Sequence, residues 1–133
     1  MKSVLHSLAV IAALGSLTAP VSAQSSPEPV GPTLHEWIVR DQMIGRQPDS
    51  PERASAGAAL QQDLFVALQA ARAAVEADVA AGRKSDTCLP PRGSAQVSSD
   101  EVGKFIYSRP TTEFNDPLQK VMLRFLAHRF PCA

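Results

Sequence analysis

PERASAGAALQQDLFVALQAARAAVEADVAA, residues 51–81, is the stretch on which the fold turns. Its only proline stands first and its only glycine is Gly57, so nothing after the start breaks a helix. Ser50 offers a capping hydroxyl, Pro51 suits the first helical position, and Glu52 faces the positive end of the helix dipole. Gly82 supplies the stop, followed by Arg83 and Lys84. Leu60, Leu64, Ala67, Leu68, Ala71, Val75 and Val79 recur at three- and four-residue steps and form one apolar stripe. Twelve alanines between Ala54 and Ala81 make the segment a strong helix former. They also keep the stripe thin, so a neighbouring helix can approach closely. A helix of this length spans about 45 Å, more than a small domain needs. A bend near Gly57, or an N-terminal end that projects, is therefore expected.

Shorter helices flank it. Thr33 and Glu36 form a capping box, and Leu34, Trp37, Ile38 and Ile44 fall on one side of the helix it opens. Gly45, Pro48 and Pro51 end that element. Between Arg83 and Val97 the chain is irregular, punctuated by Pro90, Pro91 and Gly93. Ser98 and Glu101 make a second capping box for a short helix that turns Val102, Phe105 and Ile106 inward and closes at Arg109-Pro110. Asn115 or Asp116 is then expected to cap a last helix with Pro117 near its start and Leu118, Val121, Met122, Phe125 and Leu126 on its buried side. No strand alternation and no internal repeat occurs. The pattern predicts an all-α fold, a small bundle of about four helices with one long alanine-rich member.

Residues 1–23 have the parts of a secretory signal: Lys2, a mostly apolar run from Val4 to Leu17, and the small-residue site Val21-Ser22-Ala23. These fourteen residues, interrupted by His6, Ser7 and Ser16, rise about 21 Å as a helix, too little for a hydrocarbon core of about 30 Å. Cleavage after Ala23 and a soluble, periplasmic product are the expectation, with no membrane association once the signal is gone. Residues 24–32, rich in proline and serine, read as a disordered tether, and 33–133 as the helical domain. The basic residues are scattered, 13 against 13 acidic ones, which argues against nucleic acid.

In an exported protein Cys88 and Cys132 most simply pair with each other, closing the C-terminal segment. The chain-entropy argument gives such a loop about 4 kcal/mol. Two thiols and three histidines without C-x-x-C or H-x-x-x-H spacing make no metal site, and no cofactor fingerprint is present. Catalytic constellations are equally lacking: His128 suits a helix C-terminus, His35 sits in a first turn, and Asp63, Asp100 and Glu101 read as solvated or helix-start acids. The chain is read as a non-enzyme. Tyr107, Arg109, Phe114 and Trp37 are the side chains suited to recognising a protein, with packing the expected role of Trp37 and Phe114. Arg92, Gly93 and Ser94 lie in the loop that the disulfide would pin, where docking costs less entropy. The candidate partner-binding set is Arg92, Gly93, Ser94, Tyr107 and Arg109.

Thr87-Cys88-Leu89-Pro90, the short helix with Val102, Phe105 and Ile106, Arg109-Pro110, and the closing Phe130-Pro131-Cys132 together resemble the Rap/Tai family. Its members are small periplasmic immunity proteins of type VI secretion systems. The resemblance covers roughly residues 60–132, and Phe-Pro-Cys is its most specific part. It implies an all-helical fold, an intramolecular disulfide, and binding to a peptidoglycan amidase effector whose active site is blocked. It also implies a possible homodimer. The alternative expectation is a periplasmic stress or chaperone-like helical protein without enzymatic activity; a small hydrolase ranks third.

Overall fold

A computed structural model describes residues 31–133; the expected signal segment and most of the tether lie outside the described residues. Four helices follow in order: α1 (Leu34–Gly45), α2 (Pro51–Ala80), α3 (Ser99–Tyr107) and α4 (Leu118–Arg129). A 3₁₀ turn at Thr111–Glu113 joins α3 to α4. The all-α bundle read from the sequence is the fold observed. Among the described residues no helix is long and apolar enough to cross a membrane.

The helix starts follow their capping chemistry. The Glu36 amide donates to Thr33 Oγ1 at 3.2 Å while the Thr33 amide donates back to Glu36 Oε2 at 2.8 Å. Ser98 and Glu101 repeat the exchange at α3, and Ser50 Oγ accepts from the Arg53 amide at α2. These carboxylates are held below their ordinary range, Glu36 by the Thr33 backbone bond first and Glu101 by that of Ser98.

At α4 the expected cap is not the one found. The helix begins at Leu118, with Pro117 in the capping position and no side-chain cap. The Asp116 carboxylate instead accepts from Lys120 Nζ at 2.8 Å and Arg124 Nη1 at 2.6 Å, and these bonds lower its pKa. The free amides are taken by backbone from across the bundle. Leu118 N–H donates to Pro32 O at 2.8 Å, and Leu34 N–H returns to Asp116 O at 2.9 Å. His35 N–H donates to Phe114 O at 2.9 Å. The segments entering α1 and α4 thus run antiparallel, with a bridge between Thr33 and Pro117, and each satisfies the other's first orphan donor.

Around α4 lies the core: Leu34, Trp37 and Ile38 of α1, Leu60, Ala67 and Ala71 of α2, Val102, Phe105 and Ile106 of α3. Val121 and Met122 of α4 are wholly buried. The α2–α4 pair makes the most extensive helix contact, with Ala67 and Ala71 fully buried. Alanine at those two positions lets the backbones come close. The indole N–H of Trp37 donates to Leu60 O at 3.2 Å, the partner a buried tryptophan needs. The packing role expected for Trp37 holds.

Of two expectations about α2, the projecting N-terminal end is found in place of a bend, and the extent of the stripe needs correcting. The helix continues through Gly57, and none of residues 51–59 is buried, so its first turns extend past the core. The apolar stripe stops at Val75, because Val79 is 59% exposed where the bundle has already ended. Asp63, read as a solvated acid, pairs with Arg40 at 2.6 Å and links α1 to α2. Both side chains are partly exposed, so this contributes at most about 1 kcal/mol.

Ala71→Leu should lower stability by about 1–3 kcal/mol, since the extra methylenes have no space against α4. Ala73→Leu, on the exposed side of α2, should change it by less than about 0.5 kcal/mol. Urea unfolding followed through Trp37, the chain's single tryptophan, measures both.

Candidate functional site

The segment after α2 is shaped by three backbone decisions. Gly82 takes φ +71 and turns the chain off the helix. The Ser85 hydroxyl then bridges the amide and carbonyl of Thr87. Thr87, buried to 6% exposure, forms an isolated antiparallel bridge with Pro131. Cys88 N–H donates to Phe130 O at 2.8 Å and Cys132 N–H to Asp86 O at 3.1 Å. Between these bonds the Cys88–Cys132 disulfide closes, with Cα atoms 4.9 Å apart. The cysteine pairing expected from the sequence is thus present, at a surface position where Cys88 is exposed.

Beyond Cys88 the loop leans on α2. Arg72 Nη2 donates to Pro90 O at 2.6 Å, while its Nε holds Glu76 at 2.9 Å. Arg92 Nη2 reaches the same Glu76 at 2.7 Å. The Arg92 bond, ahead of the Arg72 bond, lowers the Glu76 pKa. Ser94 N–H donates to Pro91 O at 3.1 Å, closing a turn in which Gly93 takes φ +81. An L side chain at Gly93 would meet open space but a strained backbone.

Arg72, Pro90 and Arg92 together form a strut that separates two recesses. The larger, about 700 Å³, lies between the C-terminal half of α2 and the loop, with Val75, Val79, Cys88, Leu89, Pro90 and Pro91 in its wall. The smaller, about 320 Å³, is walled by Phe65, Leu68, Val97, Leu126 and Phe130. A third, about 150 Å³, continues past Phe65 toward Gln61 and Ser98. One side of α2 from Gln61 to Val79 therefore borders a row of mostly apolar hollows. Along the helix that is about 27 Å. Phe65, 57% exposed, stands at the junction of two of them.

The five candidate residues fall into two groups. Arg92, Gly93 and Ser94 share the disulfide-pinned turn. Tyr107 and Arg109 line a separate recess of about 290 Å³ with His35, Ile38, Val39 and Phe114. The recesses that hold Arg92 and Gly93 are lined by neither Tyr107 nor Arg109. The Tyr107 hydroxyl donates to the Asp41 carboxylate, tying the end of α3 to α1. Arg109 lies over the Phe105 ring at 3.9 Å and donates from Nε to Phe105 O at 3.2 Å. Phe114 is half-buried and stacks on His35 at 5.8 Å.

Phe65 lines two of these hollows and is not among the candidates that the sequence offers. It stands off the stripe defined by Leu60, Leu64, Ala67 and Ala71, and an aromatic residue on the wrong side of an amphipathic helix was the available signal. Among the described residues no cluster of three or more histidine, cysteine or acidic side chains has the geometry to hold a metal. Comparison with family models, curated proteins and solved structures finds no match.

Two measurements probe this geometry. Replacing both cysteines by serine should remove about 4 kcal/mol of stability and raise amide exchange first at residues 86–94. Tyr107 is the chain's only tyrosine, so its phenolate can be followed by ultraviolet absorbance. Burial, and then the bond to Asp41, push its pKa up to about 12. Folding favours the neutral phenol, so this contribution is complete below pH 10 and is lost as pH rises from about 10 to about 12. The native midpoint should exceed that of the urea-unfolded chain, and Asp41→Asn should recover part of the difference.

Proposed function

We propose that this protein is an exported, immunity-type binding protein that blocks the active site of a peptidoglycan amidase effector. The observation that carries the reading is the turn at Arg92–Ser94. It is presented by a loop fixed at its base by the disulfide and at its flank by Arg72, and it stands beside apolar hollows marked by Phe65. A projecting turn of this kind enters a cleft without first losing backbone freedom. Arginine and phenylalanine beside it supply the anchors that concentrate binding energy at protein interfaces. The resemblance of the cysteine-bearing segments to the Rap/Tai family names the partner class. The mechanism is steric, and no covalent step is required of this chain.

The test is inhibition of purified amidases encoded beside the gene, together with rescue of cells that export them. The oxidised protein should inhibit one of them and protect against it. Arg92→Glu and Phe65→Ala should each weaken inhibition by about tenfold or more, as central interface residues do. Protection against none of those enzymes would refute the proposal.

The alternative, a stress-responsive chaperone-like protein, gains interest from Glu76 and Asp116. Both carboxylates are held below the ordinary range by arginine or lysine partners, so their contribution is present at neutral pH and fades as pH falls through their lowered pKa values. Protonating Glu76 releases Arg92 from the apolar wall. Reversible binding of a hydrophobic dye at pH 2–3, together with failure of the amidase assays, would favour this role.

A further inference from the structure

We propose that the recess between α3 and the last turn of α4 is a carboxylate-binding site that takes an acidic segment of a protein. This recess, about 410 Å³, is distinct from the hollows along α2. Lys104 and Arg109 come to it from α3 and the residues after it, and His128 and Arg129 from α4. Its apolar floor is formed by Phe105 and Phe125, whose rings meet edge to face at 5.4 Å.

The charges are unevenly matched. Glu101 is the recess's single carboxylate, and it already accepts from the Ser98 amide and, at 3.0 Å, from Arg129 Nε. Lys104 is exposed and makes no side-chain hydrogen bond or ion pair within the described fold. Arg109 likewise has no carboxylate partner there. It is nevertheless held in place, stacked on Phe105, with Nε on Phe105 O and Nη2 donating to Ser108 Oγ at 3.1 Å. His128 lies against the other part of the same floor, its ring 5.8 Å from that of Phe105. The C-terminal dipole ends of α3 and α4 subtract about half a charge each. Lys104, Arg109 and Arg129 against the one occupied carboxylate of Glu101 still leave the recess positive.

A guanidinium fixed in this way, with a free edge and no anion, is arranged for a planar acceptor such as a carboxylate. The cations come from two helices rather than converging on one point, which suits carboxylates repeated along a chain better than one small anion. The chain as a whole is balanced, 13 basic residues against 13 acidic. A nucleic acid or an anionic bilayer would call for a broader basic surface. The ligand class, an acidic protein segment, rests on the reading of the molecule as a protein-binding module. The experiment below uses no amidase, so the two proposals fail separately.

Oxidised, ¹⁵N-labelled protein is titrated at fixed ionic strength with hexaglutamate, hexaglutamine or inorganic phosphate. Hexaglutamate should saturably shift the resonances of Lys104, Arg109, His128 and Arg129, including Arg109 Nε, and hexaglutamine should not. Lys104→Gln, which disturbs no contact of the fold, should weaken hexaglutamate binding by about threefold, the worth of one exposed ion pair. Arg109→Gln should weaken it by about tenfold, as expected for an ordered charge-assisted bond. Equal shifts with hexaglutamine, shifts centred elsewhere, or unchanged affinity in Lys104→Gln would overturn the assignment. Saturation by phosphate with no response to hexaglutamate would do so as well.

Discussion

Everything in this bundle depends on α4 being gripped at both ends. At its start, the segment entering α1 lies antiparallel to the segment entering α4, and Leu118 N–H, Leu34 N–H and His35 N–H are satisfied across that seam. At its end, Thr87 bridges Pro131, Cys88 and Cys132 exchange backbone bonds with Phe130 and Asp86, and the disulfide closes the junction. Four terminal donors and four terminal acceptors of any helix lack partners within it. Here non-helical backbone supplies one partner at each end of α4, Pro32 O for the Leu118 amide and the Cys88 amide for Phe130 O. A 12-residue helix is marginal alone. Clamped in this manner it becomes the post against which α1, α2 and α3 pack.

That arrangement explains the alanines. An axis helix with Leu118, Val121, Met122, Phe125 and Leu126 on its buried side carries the bulk of the core. The partner with the largest contact can then be thin, and α2 presents Ala67 and Ala71. Close approach of two backbones leaves little room between them, so the larger residues of α2 are displaced to the flanks. Leu64 and Leu68 become half-buried walls, and Phe65 becomes exposed. The row of hollows beside α2 is in this sense a consequence of how its alanines pack, with the 88–97 segment as the opposite wall.

Helix identities, the two capping boxes and the cysteine pairing were legible because each is written locally or by exclusion. Thr33 with Glu36 and Ser98 with Glu101 are short-range patterns, and two cysteines leave one intramolecular pairing. What was not legible was set by partners distant in sequence. Asp116 looks like a helix cap until Lys120 and Arg124 are seen to occupy it, and the cap itself comes from Pro32, more than eighty residues away. Val79 continues the α2 periodicity, but the bundle ends before it. Of the candidate site, the pinned turn was readable and Phe65 was not, because the stripe drew attention to the buried side. The separation of Tyr107 and Arg109 from Arg92 is a matter of tertiary placement alone.

The relative strengths of the loop's three anchors decide how it can act. The disulfide is worth about 4 kcal/mol to the fold and fixes the base. The Arg72 bond to Pro90 O is charge-assisted, and its guanidinium side chain is only 18% exposed, so it belongs to the class worth about 1.5–3 kcal/mol. The Arg92–Glu76 pair is exposed on both sides and contributes at most about 1 kcal/mol. The anchors therefore weaken from the base of the loop toward its tip. Arg92 can leave Glu76 for a partner's acceptor while Pro90 and Cys88 stay where they are. A loop built in the opposite order, firm at the tip and loose at the base, would have to reorganise its backbone before binding. Freeing this tip costs one weak ion pair and one long bond from Arg92 to Gln69, while the backbone below it stays held.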